Sequence, residues 1–168
     1  VAVAFGAGDY YRDLGRDASM LSRNEIELLY PRSHLVNASR AAGVQAIDTP
    51  FLGLLTDREG FLKEVEIAVQ LGFKGKQCIH PSQIETINTM FSPSPQEVDR
   101  AQRIVKAFEE AQARGIGATS FEGRMVDYMT YRQAVDVLQT ARTINDRKTT
   151  MTDEARYVKL CEVFSRNG

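Results

Sequence analysis

Three short apolar runs, each leading on to a helix-start pattern, constrain this chain more than any other feature: Val1-Ala2-Val3-Ala4-Phe5-Gly6, Val44-Gln45-Ala46-Ile47-Asp48-Thr49 and Gly75-Lys76-Gln77-Cys78-Ile79-His80-Pro81. A short continuous apolar run closed by Gly reads as a strand buried on both faces, as in a parallel sheet flanked by helices. The intervening segments carry helix signals. Ser22-Arg23-Asn24-Glu25 has the S-x-x-E capping-box pattern and opens a helix running to Gly43, with Pro31 marking a restart in its first turn. Thr56-Asp57-Arg58-Glu59 is a second box; Phe61, Leu62, Val65, Ala68 and Val69 then form one apolar stripe that Gly72 closes. Strand and helix alternating over such short links predict a parallel α/β fold with right-handed crossovers.

The pattern changes after the third strand. Ser94-Pro95-Gln96-Glu97 is a third capping box with Pro at the first helical position, and its helix runs to about Arg114. Thr130-Tyr131-Arg132-Gln133 caps another, reaching roughly Asn145. Between them, 115–127 is a Gly-punctuated linker or hairpin, and the charged segment from Lys148 to Gly168 reads as a weak final helix or docking arm. The expected organisation is therefore 1–92 for the strands and their helices, 93–147 for a helical region, and 148–168 for a tail. Three strands cannot close a barrel and leave apolar edges open. Together with an opening inside an apolar run, this makes the chain read as one piece of a longer protein whose N-terminal half lies elsewhere.

Composition removes several function classes. The 21 Lys and Arg against 22 Asp and Glu give a net charge of −1, so no global field draws in a nucleic acid. No apolar run approaches the roughly 18 residues of a membrane span, and no signal-peptide order opens the chain, so a cytoplasmic or organelle-lumen protein is expected. Cys78 and Cys161 form no CxxC pair and read as ordinary buried thiols.

Few residues are placed for chemistry. Asp9 follows the first strand at its carboxyl end, where parallel α/β folds present catalytic groups, and a carboxylate there suits Mg²⁺. The competing reading is a turn cap or a pair with Arg12 or Arg16. The glycines beside it are not a dinucleotide fingerprint, because the third glycine would fall at Tyr11. His80 sits on a constrained turn and is expected to hydrogen-bond the backbone, whereas His34 has no second His at i+4 and reads as a helix-surface or interface residue. Asp127 is a lone acid before a helix start, and position alone makes it a carboxylate favoured by the helix dipole.

Phe5-Gly6-Ala7-Gly8-Asp9, Asp13-Leu14-Gly15, Ala46-Ile47-Asp48, Gly75-Lys76-Gln77-Cys78-Ile79-His80-Pro81-Ser82-Gln83, Phe91-Ser92-Pro93-Ser94-Pro95 and Met125-Val126-Asp127 together resemble the citrate lyase beta-subunit family, with its malyl-CoA and citramalyl-CoA lyases. The likeness runs from Val1 to about Asn145. It implies the C-terminal half of a TIM (β/α)8-type barrel with a C-terminal helical lid, assembled as a trimer or a dimer of trimers in which lids reach neighbouring subunits. It further implies a Mg²⁺ ligand at Asp9 (Mn²⁺ being an alternative ion), backbone donors at Gly8 and Asp9 facing substrate oxygens, and an acid/base at Asp127. Asp48 and Thr49 are weaker candidates for substrate contact, and Arg32 and Lys76 for CoA phosphates or surface ion pairs. A first metal ligand and a substrate-binding Arg would lie in the other half.

The implied reaction is carbon-carbon cleavage or formation of a 3-hydroxyacyl-CoA such as malyl-CoA, citramalyl-CoA or citryl-CoA, linking an acyl-CoA and a 2-oxo acid. For a eukaryotic protein the mitochondrial matrix would be the compartment. Rival readings are a malyl-CoA-type thioesterase, a CoA-independent pyruvate or oxo-acid aldolase, and an inactive fragment.

Overall fold

The computed structural model describes residues 1–17, 21–22 and 25–150, and these divide into two compact units with the boundary between Phe91 and Ser92. In chain order the first unit contains β1 (Ala2–Ala4), α1 (Ala7–Asp13), α2 (Ile26–Ala41), β2 (Gln45–Asp48), α3 (Arg58–Leu71), β3 (Gly75–Lys76), a 3₁₀ turn (Pro81–Gln83) and α4 (Ile84–Met90). The three strands form one parallel sheet in the order β1-β2-β3, with Ala2 opposite Gln45 and Ile47 opposite Gly75. Consecutive strands are thus neighbours, and each crossover passes through a helix, as strand-helix alternation requires.

Local signals explain most boundaries, with several corrections. α2 passes through Pro31 without a restart, so the helix simply forgoes the hydrogen bond Pro cannot donate. Its expected box falls partly on Arg23 and Asn24, outside the described residues. Ser22 instead engages Glu27, its hydroxyl donating to one carboxylate oxygen at 2.6 Å. Asp57, not Thr56, caps α3 by accepting the Gly60 N–H at 3.0 Å, and Gly72 ends that helix at φ 94°. The third strand is only two residues long, because the chain turns away to prepare the 3₁₀ turn at Pro81. β1 is exposed along its length rather than buried on both faces; it is an edge strand whose outer side meets no other strand among the described residues. Cys78 is exposed, not buried, and Cys161 lies outside the described residues.

The core of this unit lies between sheet and helices. Phe5, Ala7, Tyr11 and Leu28 pack α1 and α2 against the end of β1, while Phe51, Phe61, Val65 and Ile87 hold α3 and α4 together. Leu62 and Val69, expected in the apolar stripe of α3, are about two-fifths exposed at 38% each.

The second unit contains α5 (Pro95–Ala113), the antiparallel hairpin of β4 (Thr119–Phe121) and β5 (Arg124–Val126), and α6 (Tyr128–Thr150). The box at Ser94 is complete: the Ser hydroxyl accepts the Glu97 N–H, and Glu97 accepts the Ser94 N–H at 2.7 Å. The hairpin turns through Glu122 and Gly123, both at positive φ (51° and 74°), the combination a two-residue type I′ turn demands. Ile104 and Phe108 of α5 pack with Val126 and Ala134, and the Phe108 and Tyr131 rings stack 4.9 Å apart.

Candidate active site

The carboxyl ends of the three strands are built from polar groups of two kinds, one facing out and one sealed in. Asp9 belongs to the first. It lies in the first turn of α1, directly beyond β1, and is exposed, with its carboxylate 3.2 Å from Arg12 in a pair that is itself largely in water. Such a pair is a weak constraint. The N–H groups of Gly8 and Asp9 fall in the same first turn, where backbone donors have no intrahelical acceptor. A Cβ placed on Gly8 would meet no atom within 4 Å, so the space over this turn is open.

Asp48 and Thr49, at the end of β2, face inward. Asp48 is wholly buried and accepts from Arg32 through two parallel hydrogen bonds, Nε to Oδ1 at 3.0 Å and Nη2 to Oδ2 at 2.6 Å. Lys76, from β3, donates to Asp48 Oδ2 at 2.9 Å, to the Thr49 carbonyl at 2.7 Å and to Glu64 of α3. Arg32 also reaches Glu25 at 3.3 Å and lies over the Phe73 ring. The expectation that Arg32 and Lys76 stand at the surface therefore fails: their side chains are about 1% and 0% exposed, and buried cations must be paired. Thr49 uses its hydroxyl to accept the Ala7 N–H at 3.2 Å.

Burial dominates Glu64, pushing its carboxyl up to about 8; the Lys76 ammonium opposes this and the nearby Glu25 carboxylate adds to it. With Glu64 protonated, the cluster holds two cations, Arg32 and Lys76, against two anions, Asp48 and Glu25. Glu64 Oε2 is buried and has no hydrogen-bond partner among the described residues.

His80 makes the local contacts its turn suggested. Its Nδ1 accepts the Ser82 N–H at 3.2 Å and lies 2.8 Å from the Ser82 hydroxyl, capping the 3₁₀ turn. His34 is exposed beside Tyr30.

Asp127 belongs to the second unit, just before α6. One oxygen accepts the Thr130 N–H at 2.8 Å and the Thr130 hydroxyl at 2.9 Å, so Asp127 rather than Thr130 caps this helix. The backbone hydrogen bond, then the hydroxyl one, hold its carboxyl below the ordinary value, as a helix start does for an anion. Asp127 is exposed, as are Met125, Tyr128 and Met129 around it.

No group of three or more His, Cys, Asp or Glu among the described residues is arranged to hold a metal, and no helix among them is long and apolar enough to cross a membrane. Asp9 nonetheless fits one position of a Mg²⁺ site, since that ion takes one or two carboxylates and completes its shell with water and substrate oxygens.

The sequence of this site region matches a known pattern. Residues 1–81 fit the family model described as HpcH/HpaI aldolase/citrate lyase. The citrate lyase subunit beta of Haemophilus influenzae is 41% identical over 85% of this chain and 48% of its own length. Over residues 1–81 the chain carries the pattern of the HpcH/HpaI aldolase/citrate lyase family, and its likeness to such relatives extends over most of its length. Another relative, the mitochondrial citramalyl-CoA lyase of Homo sapiens, is 35% identical over 87% of this chain and 42% of its own. Among solved structures, the CitE protein of Mycobacterium tuberculosis in complex with magnesium, acetoacetate and coenzyme A shares 31% identity at a TM-score of 0.67, covering 82% of this chain and 51% of that one. This chain thus spans about half the length of the curated family members it matches. Gly8, Asp9, Asp48 and Thr49 fall inside the stretch that fits the family model, and Asp127 falls outside it.

Proposed function

We propose that this chain is the C-terminal half of a (β/α)8 barrel with a helical lid, in a Mg²⁺-dependent lyase that splits a 3-hydroxyacyl-CoA into an acyl-CoA and a 2-oxo acid. The observation that carries this reading is Asp9: an exposed carboxylate at the carboxyl end of a parallel strand, within the stretch that fits the family model. Support also comes from the CitE structure, whose magnesium and coenzyme A are the metal and thioester carrier such chemistry needs, and whose acetoacetate is an oxo acid, although a 3-oxo rather than a 2-oxo one.

In this reading Asp9 holds Mg²⁺ with a ligand from the other half, and bound Mg²⁺ would supply Lewis-acid withdrawal of charge from the oxo-acid oxygens. The Gly8 and Asp9 N–H groups bind the same substrate end, whereas Asp48 and Thr49, expected from the resemblance to touch substrate, are sealed beneath the strand ends and support the site without contacting it. In the cleavage direction the β-hydroxyl loses its proton to a base. The O–H electron pair becomes the new carbonyl bond, the C–C bond breaks, and its pair passes to the α-carbon of the leaving acyl-CoA as an enolate. Asp127, contributed by the lid of a neighbouring subunit in a trimer or hexamer, is ionised at rest, serves as that base and, once it carries the hydroxyl proton, returns it to that carbon. In the condensing direction it removes one. Its hydrogen bonds from Thr130 keep it ionised and ready as the base. An imine-forming lysine is the alternative on an aldolase barrel, but Lys76 is sealed and each of its three hydrogens has an acceptor.

The test is release of oxo acid from malyl-CoA and citramalyl-CoA by the longer protein to which we assign this chain. Asp127→Ala is expected to lower turnover by about 10²–10⁴-fold, and Asp9→Ala to abolish the Mg²⁺ response. Free CoA without oxo acid would move the reading to a thioesterase, and no turnover of either substrate would overturn it.

A further inference from the structure

The turn that carries Asp9 has no cap of its own. Gly6 occupies the N-cap position of α1 and has no side chain to offer, and seven residues are too few for a helix to stand by propensity. An N-cap side chain ordinarily accepts one of the first-turn N–H groups. Here the acceptor comes from a different strand: Thr49 Oγ1 takes the Ala7 N–H, across 42 residues of sequence. Both partners are sealed from solvent, Ala7 at 0% and Thr49 at 1% exposure.

Thr49 is itself fixed. Its carbonyl accepts from Lys76 Nζ at 2.7 Å, and the same ammonium holds the adjacent Asp48, which Arg32 grips from the other side. On the β1 side, the Phe5 N–H donates to the Ile47 carbonyl at 3.0 Å, so the ladder runs right up to Gly6. One residue further on, the Thr49 hydroxyl sets where α1 begins. By contrast the Asp9–Arg12 pair lies in water and cannot fix the direction of the carboxylate.

We propose that Thr49 is a positioning residue, its hydroxyl capping from the end of β2 the helical turn that aims Asp9. The assignment rests on Asp9 as a metal ligand and adds what holds it in place. Removing the hydroxyl leaves a buried N–H without an acceptor, and water reaches Ala7 only if the turn moves. A displaced turn carries the Asp9 carboxylate away from the metal.

The test uses the full-length protein, with Mn²⁺ as the probe of metal binding followed by electron paramagnetic resonance. Wild type is set beside Thr49→Val, which keeps the shape and loses the acceptor, Thr49→Ser, which keeps the acceptor and loses the methyl, and Asp9→Ala. Thr49→Val is expected to weaken Mn²⁺ binding about tenfold, the equilibrium cost of one lost buried hydrogen bond. Thr49→Ser should stay within about twofold of wild type, because the capping oxygen remains. Amide exchange over residues 5–13 should quicken in Thr49→Val alone. Equal weakening in the Val and Ser variants would assign Thr49 to packing and overturn the proposal. So would wild-type binding by Thr49→Val while Asp9→Ala loses it. Wild-type binding by Asp9→Ala would instead remove the metal-ligand assignment, and the role of Thr49 with it.

Discussion

The two units handle charge in opposite ways. In the first, Arg32, Asp48, Lys76 and Glu64 are drawn under the strand ends and sealed from water. In the second, Arg100 and Arg103 meet Glu122, and Arg103 also meets Asp99, in pairs whose side chains are 46–65% exposed. Burial makes the first set costly to disturb, since each ion was stripped of water and depends on its partner. Exposure makes the second nearly free to change. A buried network gives rigid placement at the strand ends; a solvated one leaves the surface of α5 and the hairpin tip free to change without first breaking structure.

The sharpest way to break this contrast is Asp48→Ala. It strands Arg32 and Lys76 without their shared anion, and a loss of about 3–5 kcal/mol in urea unfolding is expected. A loss below about 1 kcal/mol would mean the cluster is wetter than its burial indicates.

Glu64→Gln sharpens the contrast through pH. The folded carboxyl titrates near 8, above its ordinary value of 4.5, so the native state holds a proton that the unfolded chain has released. This contribution is fully present below pH 4.5 and is lost as pH rises toward 8. Within that window the group lowers stability by up to about 1.4 kcal/mol per pH unit. Gln stays neutral, so the variant should lack this decline and gain on wild type between pH 5 and 8. Parallel stability curves for the two proteins would contradict the assignment.

The smallest effect belongs to the second unit. Arg103→Ala should cost about 0.5 kcal/mol or less, shrinking further at high salt. A cost comparable with that of Asp48→Ala would erase the distinction between the two units.

The alternation of strands and helices was legible because glycines, prolines and apolar runs act locally. The Ser94 box was legible for the same reason, with Pro95 and Glu97 at fixed offsets. Caps at Asp57 and Asp127 were misplaced where a Thr pattern competed with a neighbouring carboxylate that binds the same N–H groups better. α1 escaped notice because a seven-residue helix starting at Gly6 with Gly8 inside it carries no cap signal and little propensity. The buried network was invisible because its paired members lie 7 to 28 residues apart and each alone resembles a surface charge. One clue was present. Glu64 sits three residues after Phe61 and four before Ala68, inside the apolar stripe of α3, where a carboxylate needs a buried cation. The role proposed for Asp127 came from resemblance to a family alone, whereas the strand-end position of Asp9 already suited Mg²⁺ and the resemblance chose that reading over a turn cap or an Arg pair.

The sequence separations within the strand-end network also set an order of assembly. Lys76 reaches Glu64 across 12 residues and Asp48 across 28, whereas Thr49 reaches Ala7 across 42. Closing the longest of these loops costs about 1 kcal/mol more chain entropy than closing the shortest. The β2–α3–β3 segment is therefore expected to form first, with the Asp9 turn docking onto it afterwards. Protection of 45–76 ahead of 7–13 in pulsed amide exchange during refolding is the expected outcome, and simultaneous protection would contradict this order.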